Sequence, residues 1–404
     1  MPSLAPATPA PPITASPVGT AEATVTPPPG TVPPATPSAG PSVPPSLPVD
    51  PSAWVGPDLI SERHYLMPSL AVDQDGHAHV AATLGHDIYY VTNSTGSWTR
   101  ERISNAATDL RHIGPVIALD RDGSLGIAFT ETCRACAGGV PDDILFSSGS
   151  SGSWSTPSRI AGGWAAALEL VDGVVHLAYN DGNVEDLEDL NDQSRPLYGT
   201  NAGGSWASVP LANLGAISAM DVTVGSIQVV FSTWDHGQSD RNQLRMVSTA
   251  GISQPFADDD VPIAVGDNYY AVTFDADGRP HVVWSSSYYD GDVYRSSTAR
   301  HLWRAANGWV NDELDEATQP SAIAVHDETR LHAVEEAWGL AETPDVVYWQ
   351  HAGDGDEFKK LGCCVFENNS GDWATPTIAV DSLNRPHIFY GTAEGSWYAV
   401  GPDD

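Results

Sequence analysis

"AVDQDGHAHV" occupies residues 71–80, "TFDADGRPHV" follows at 273–282 and "AVDSLNRPHI" at 379–388. One ten-residue phrase written three times marks an internal repeat. With Gly76 as reference, equivalent positions fall at Gly123, Gly173, Gly225, Gly278, Thr329 and Asn384, in steps of 47, 50, 52, 53, 51 and 55 residues. Each unit holds four short runs. A first run ("SLAVD", "VIALD") leads through a tight turn to a second ("HVAA", "HLAY", "HVVW", "HIFY"). A third ("DIYYVTN", "DILFSSG", "RPLYGTN") leads through Gly-Ser-Trp to a fourth ("GSWTRERIS", "GSWSTPSRI", "GSWASVPLA").

These runs are β-branched and aromatic, and Gly, Asn, Asp and Ser bound them, so they read as strands. Four strands in about 50 residues is the pattern of a β-propeller blade. The chain is therefore expected to be all-β, a seven-bladed propeller of four-stranded blades over residues 52–404. The second run is apolar at consecutive positions, as a strand covered on both faces must be. The last unit is one strand short, while "SAWVGPDLIS" near residue 53 resembles fourth-strand text. The N-terminal strand is thus expected to complete the last blade and close the ring, which removes an open sheet edge.

Residues 1–51 hold 17 of the 32 prolines and no aromatic residue, Lys or Arg. Such a segment buries too little apolar surface to offset its ordering entropy, and it reads as a disordered Pro/Ala/Thr/Ser-rich linker or stalk. Stalks of this composition suit exported surface proteins, so an extracellular or cell-surface location is expected. No export signal is visible after Met1. The chain carries 18 basic and 52 acidic residues, a net charge of −34. That surface repels nucleic acid and anionic membranes, and no apolar run is long enough for membrane insertion. A monomer is expected.

The Asp-x-Asp-Gly of the opening phrase reads as a turn, with Gly supplying positive φ and Asp capping the backbone. A calcium loop needs more oxygen ligands than this turn offers, so no metal or other cofactor is assigned. His79, His176, His281, His332 and His387 recur at one place in five blades and read as structural hydrogen-bonders. Cys133 and Cys136 lie in "CRAC", and Cys363 and Cys364 in "GCCV". Four thiolates on zinc would fit this set, but two local disulfides suit an exported chain better.

At the turn between third and fourth runs stand "TNSTGSW" (92–98), "SGSSGSW" (148–154) and "TNAGGSW" (200–206). With the blade count, these resemble the sialidase-like, BNR-repeat bacterial propellers, whose Asp-box reads Ser-x-Asp-x-Gly-x-x-Trp at that turn. Gly and Trp are kept here and the Asp is replaced. The resemblance covers about residues 53–404 and implies the architecture. The family's sialidases use three arginines with a Tyr–Glu pair, and ulvan-lyase-like propellers use His, Tyr and Arg; no position here matches either set, so no catalytic residue carries over.

The connections from second to third and from fourth to first strands should emerge on one face, and here they are long. Elaborated loops on one end of a rigid scaffold are where function is expected. That face gathers Trp164, Trp234, Tyr288, Tyr289, Trp338 and Trp373, with His236, Arg241, Arg111, His112 and Glu131. Aromatic platforms beside acids and a few arginines suit a glycan or other polar ligand. The residue three beyond the recurrent His is Ala82, Phe129, Tyr179, Phe231, Trp284, Glu335 and Tyr390 through the seven blades. Only Glu335 carries charge, so Glu335, its neighbour Glu336, and Asp235 are candidate catalytic acids. Three classes of function follow: carbohydrate recognition, glycan cleavage by a hydrolase or lyase, and a surface scaffold for protein partners. The first is the main expectation.

Overall fold

A computed structural model describes residues 54–402, apart from 134–141, 182–193, 224–225, 235–241, 250–256, 266–267, 291–292, 297–298, 315–319, 326–329, 338–344, 352–355, 363–374 and 393. The described residues form seven antiparallel sheets of four principal strands each, arranged as the blades of a propeller. Among the described residues no helix is long and apolar enough to cross a membrane.

The second strands explain the unbroken apolar runs. Ala78–Leu84, Val174–Asp181 and Pro386–Thr392 are buried at nearly every position, on both faces of the sheet. Outer strands such as Thr99–Arg102 and Ala207–Pro210 alternate or face solvent. Seven hydrophobic clusters sit at the seven interfaces between neighbouring blades. Blades one and two share Tyr90, Ile117 and Phe129. Blades seven and one share Phe389, Tyr398, Val80 and Tyr65. The core is therefore a ring of interfaces, and no blade has a core of its own.

The last blade is closed from the front of the chain. Val55–Ser61 pairs antiparallel with Gly395–Val400, in the order first strand, second strand, third strand, N-terminal strand. Trp54 packs edge-on against Tyr348 of blade six, with ring centroids 4.9 Å apart.

The repeated turn is built as its sequence requires. Asp73 Oδ1 accepts the N–H groups of Asp75 (3.0 Å) and His77 (2.8 Å), and Gly76 has φ +80°. Asp275 and Asp381 repeat the same two contacts, and Asn384 takes the left-handed position at φ +60°. His77 and His79 occupy Asp73 Oδ2. The carboxylate is thus used up by the turn. The recurrent histidines reach across to the third strand. His79, His176 and His332 share hydrogen bonds of 2.6, 2.6 and 2.8 Å with the hydroxyls of Tyr90, Tyr198 and Tyr348, and His387 does so with Tyr398. In blade five the partner is His301, 2.9 Å from His281. Tyr198→Phe leaves the buried His176 Nδ1 without its partner, and a loss of about 1–3 kcal/mol is expected. Urea unfolding of the variant measures it, and an unchanged midpoint would mean the pair contributes nothing.

The Gly-Ser-Trp tryptophans pack toward the preceding blade. Trp98 meets Tyr398 edge-on at 4.8 Å, and Trp154 meets Tyr90 at 5.0 Å. Packing of the indole against a neighbouring blade accounts for the Trp at these turns.

Strand lengths differ from the sequence reading at three places. In blade two, Ser153–Trp154 folds back on the third strand, and the outer strand is Ser158–Gly162. Pro157 has no N–H to give a ladder, so the outer strand begins after it. In blade five, the segment expected as an irregular loop is a hairpin: the second strand runs on through Asp290 and Val293–Ser296 returns along it. In blade four, "DDDVPIAV" belongs to the outer strand Ala257–Val265 and not to the connection after it.

Candidate functional site

One face carries the connections from second to third and from fourth to first strands, and there blades two and three bring several candidates together. Arg111 and His112 begin the first strand of blade two, Arg111–Leu119. They pair in register with Thr132 and Glu131 near the end of its second strand, Leu125–Thr132. His112 Nε2 lies 2.9 Å from Glu131 Oε2, and His112 Nδ1 lies 2.7 Å from Ser104 Oγ. An ionised carboxylate only accepts, so Nε2 carries the proton and Nδ1 accepts from the Ser104 hydroxyl. Ser104 Oγ is itself fixed, because it accepts the Ile88 N–H at 2.8 Å. The imidazole is buried while the Glu131 side chain stays 28% exposed. This chain of contacts holds one carboxylate oxygen and presents the group to the face.

Trp164 stands at the start of the first strand of blade three, Trp164–Val171, and is half-buried. Its ring lies over Gly114, where an added Cβ would come within 3.2 Å of the indole. Gly114 has φ +57°, so glycine answers both the backbone and the close approach. The indole therefore sits two residues along the chain from His112.

Cys133, which follows Thr132, is disulfide-bonded. Among the described residues no cysteine is free; Cys136, Cys363 and Cys364 lie outside them. Trp234 ends the second strand of blade four, Ser226–Trp234, opposite Asn242. Tyr288 and Tyr289 lie in the blade-five hairpin, opposite Arg295 and Tyr294. Asp235, His236, Arg241, Trp338 and Trp373 fall outside the described residues. Glu335 is 8% exposed and pairs in register with Pro320 and Val347, and Glu336 pairs with Val346. Of its equivalents in other blades, Ala82, Phe129, Tyr179, Phe231 and Tyr390 are buried and Trp284 is partly buried between blades.

The first strands of all seven blades line a central channel with a cavity of about 590 Å³. A second set of acids there was not found from the sequence. The channel residue directly opposite the start of each second strand is Ala71, Ala118, Glu169, Asp221, Thr273, Ala324 and Ala379 through the seven blades. Four blades place alanine there and blades three and four place a carboxyl. Burial, with the charge of Asp221 adding to it, pushes the Glu169 carboxyl up to about 8. Burial, with Asp275 adding to it, pushes Asp221 up to about 6. Asp275 goes the other way. Burial alone would raise it, but hydrogen bonds from His281 and from the Arg279 N–H and guanidinium outweigh that and hold it at about 2. The alanine register of the first strands was the signal that could have found the pair; the register actually read was that of the second strands.

No family model matches the sequence, and no curated protein matches it either. Solved structures do. An ulvan lyase, described as a new polysaccharide lyase family and solved bound to a repeat of glucuronic acid and rhamnose 3-sulfate, superposes with a TM-score of 0.54 at 13% identity, over 87% of this chain and 96% of its own. Another polysaccharide lyase gives 0.50 at 10% identity, over 83% and 90%. An α-L-arabinanase of Penicillium chrysogenum, complexed with arabinobiose, gives 0.48 at 11% identity, over 86% and 98%. At such identities the likeness to the two lyases is one of fold alone: this chain is a β-propeller.

Proposed function

We propose that this protein recognises a carbohydrate on its loop-rich face, with the rim of blades two and three as part of the site. The observation that carries this is the partly exposed Glu131 carboxylate, oriented by the buried His112, with the Trp164 indole over Gly114 two residues further along the same strand. A fixed carboxylate accepts sugar hydroxyls, and an indole face stacks on the apolar face of a sugar ring. Polysaccharide lyases among the fold's neighbours support a glycan ligand. In this reading residues 1–51 are a linker or stalk preceding the propeller of residues 52–404, the location is extracellular or at the cell surface, Cys133 pairs locally with Cys136, and the propeller acts as a monomer.

A glycan array followed by calorimetry on each hit tests the proposal. Trp164→Ala and Glu131→Gln should each weaken binding roughly tenfold or more. Hits that bind both variants as tightly as wild type would place the site elsewhere, and an array without hits would reject the reading.

A second reading, glycan cleavage, is favoured by the Ser104–His112–Glu131 chain, which is the kind of linked polar group that acid–base chemistry employs. Incubation of each hit with the protein and an assay for new reducing ends distinguishes the two. Product that appears with wild type and not with His112→Ala supports cleavage; reversible binding without product supports recognition alone.

A further inference from the structure

The seam where the ring closes is built unlike the other junctions. There the outer strand of blade seven, Val55–Ser61, comes from the opposite end of the chain. Between it and Thr99–Arg102, the outer strand of blade one, lies a cavity of about 280 Å³. Ile60 and Ser61 line one side, Trp98, Thr99 and Arg100 the other, and the buried Tyr65 stands between them. Arg102, Arg159 and Arg300 are each paired with a carboxylate of their own blade, Asp87 at 2.7 Å, Asp143 at 2.6 Å and Glu313 at 3.0 Å. Arg100 has no carboxylate partner among the described residues. Its guanidinium lies over the Tyr89 ring, 5.6 Å from the centroid, and donates to the Tyr65 hydroxyl. Ser208, Asp258, Asn311 and Phe358 hold the same register position in blades three to six, so the fold does not need a cation there.

We propose that this cavity binds the anionic group of an acidic sugar, a carboxylate or a sulfate ester, between Arg100 and the Tyr65 hydroxyl. Tyr65 is 1% exposed and is pinned from two sides: its N–H donates to Ser396 Oγ at 3.0 Å, and its ring packs near Phe389, with centroids 6.2 Å apart. Its hydroxyl accepts from Arg100 and keeps one proton, which has no acceptor among the described residues. Burial raises the phenol above its ordinary range, so that proton stays in place at neutral pH. A guanidinium without a carboxylate and a phenol proton thus face one cavity, and charge-assisted hydrogen bonds from both suit one anion. The net charge of −34 works against anions in general, so one that binds must be held by a local cation. The Trp98 indole and Ile60 supply an apolar wall for the sugar ring, and Ser61 and Thr99 supply hydroxyls for its polar edge. This site lies on the flank of the propeller and does not depend on the reading of the loop-rich face.

Calorimetric titration of the full chain with glucuronate, galactose 6-sulfate and neutral methyl glucoside, at millimolar sugar and low salt, is the test. An acidic sugar is expected to bind, and the neutral one to bind roughly tenfold more weakly or less. Heat with one acidic sugar and not the other identifies the anion. Affinity should fall as sodium chloride is raised, because a charge pair at an exposed guanidinium is screened. Arg100→Gln, an exposed substitution, should weaken binding roughly tenfold or more. Arg102→Gln removes the neighbouring cation that Asp87 already holds, and it should leave binding unchanged. No heat with either acidic sugar in the wild type overturns the proposal, and so does equal binding of the neutral sugar. Affinity kept in Arg100→Gln, or lost in Arg102→Gln, overturns it as well.

Discussion

A chain lacking residues 1–62 is expected to melt roughly 10 °C below the full-length protein, whereas a chain lacking residues 1–51 melts with it. The shorter deletion removes only sequence ahead of Trp54. The longer one removes the outer strand Val55–Ser61 and the indole that packs on Tyr348. The outer edge of Gly395–Val400 then has no partner, and Ile60 no longer covers the cluster of Tyr65, Phe389 and Tyr398. Net backbone hydrogen bonds at about 1 kcal/mol each, with the lost apolar contact, sum to about 5 kcal/mol. The uncovered strand is also an open edge, so the longer deletion should self-associate as concentration rises. Scanning calorimetry and light scattering on the two truncations decide the matter. Equal melting temperatures would show that the N-terminal strand does not close the ring.

Glu169→Gln is expected to raise the melting temperature at about pH 9 and to leave it nearly unchanged at about pH 4. Between 4.5 and about 8 the folded chain keeps a proton on Glu169 that the unfolded chain has released. Stability therefore falls as pH rises through that window, and the amide removes the fall. For a dry carboxyl the shift would be worth ~5 kcal/mol; the channel side of Glu169 is wet, and about 3 kcal/mol is expected. The acid side behaves oppositely. Asp275 and Asp381 are held low despite their burial, by His281 with Arg279 and by His387 with Arg385. Their contributions are complete above the ordinary carboxylate range and fade as pH drops below about 4. A variant that melts like wild type at both pH values would show that the channel solvates Glu169 as bulk water does.

Much of the architecture was legible before any coordinates. The blade count, the closing strand and the turn reading of Asp-x-Asp-Gly all rest on local chemistry: a seven-fold phrase, a Gly or Asn with φ above zero, and apolar runs that only a doubly covered strand can carry. The recurrent histidines were legible as structural for the same reason, since repetition places them in separate blades. Three strand boundaries were not, because a proline and an extended hairpin alter pairing in ways that only the ladder register reveals.

The candidate site divides along another line. From the sequence alone came the loop-rich face, with Arg111, His112, Glu131 and Trp164 among its residues; each stands beside a turn or at a strand end, where local patterning points to the surface. Only the tertiary structure decided that His112 is spent on orienting Glu131, that Trp164 lies over Gly114, and that Glu169 and Asp221 share the channel. Glu169 and Asp221 are 52 residues apart in the chain. Neighbouring blades bring equivalent positions side by side at a separation of one whole repeat, so the field that each carboxyl feels is set by ring closure and by burial, neither of which a linear pattern encodes.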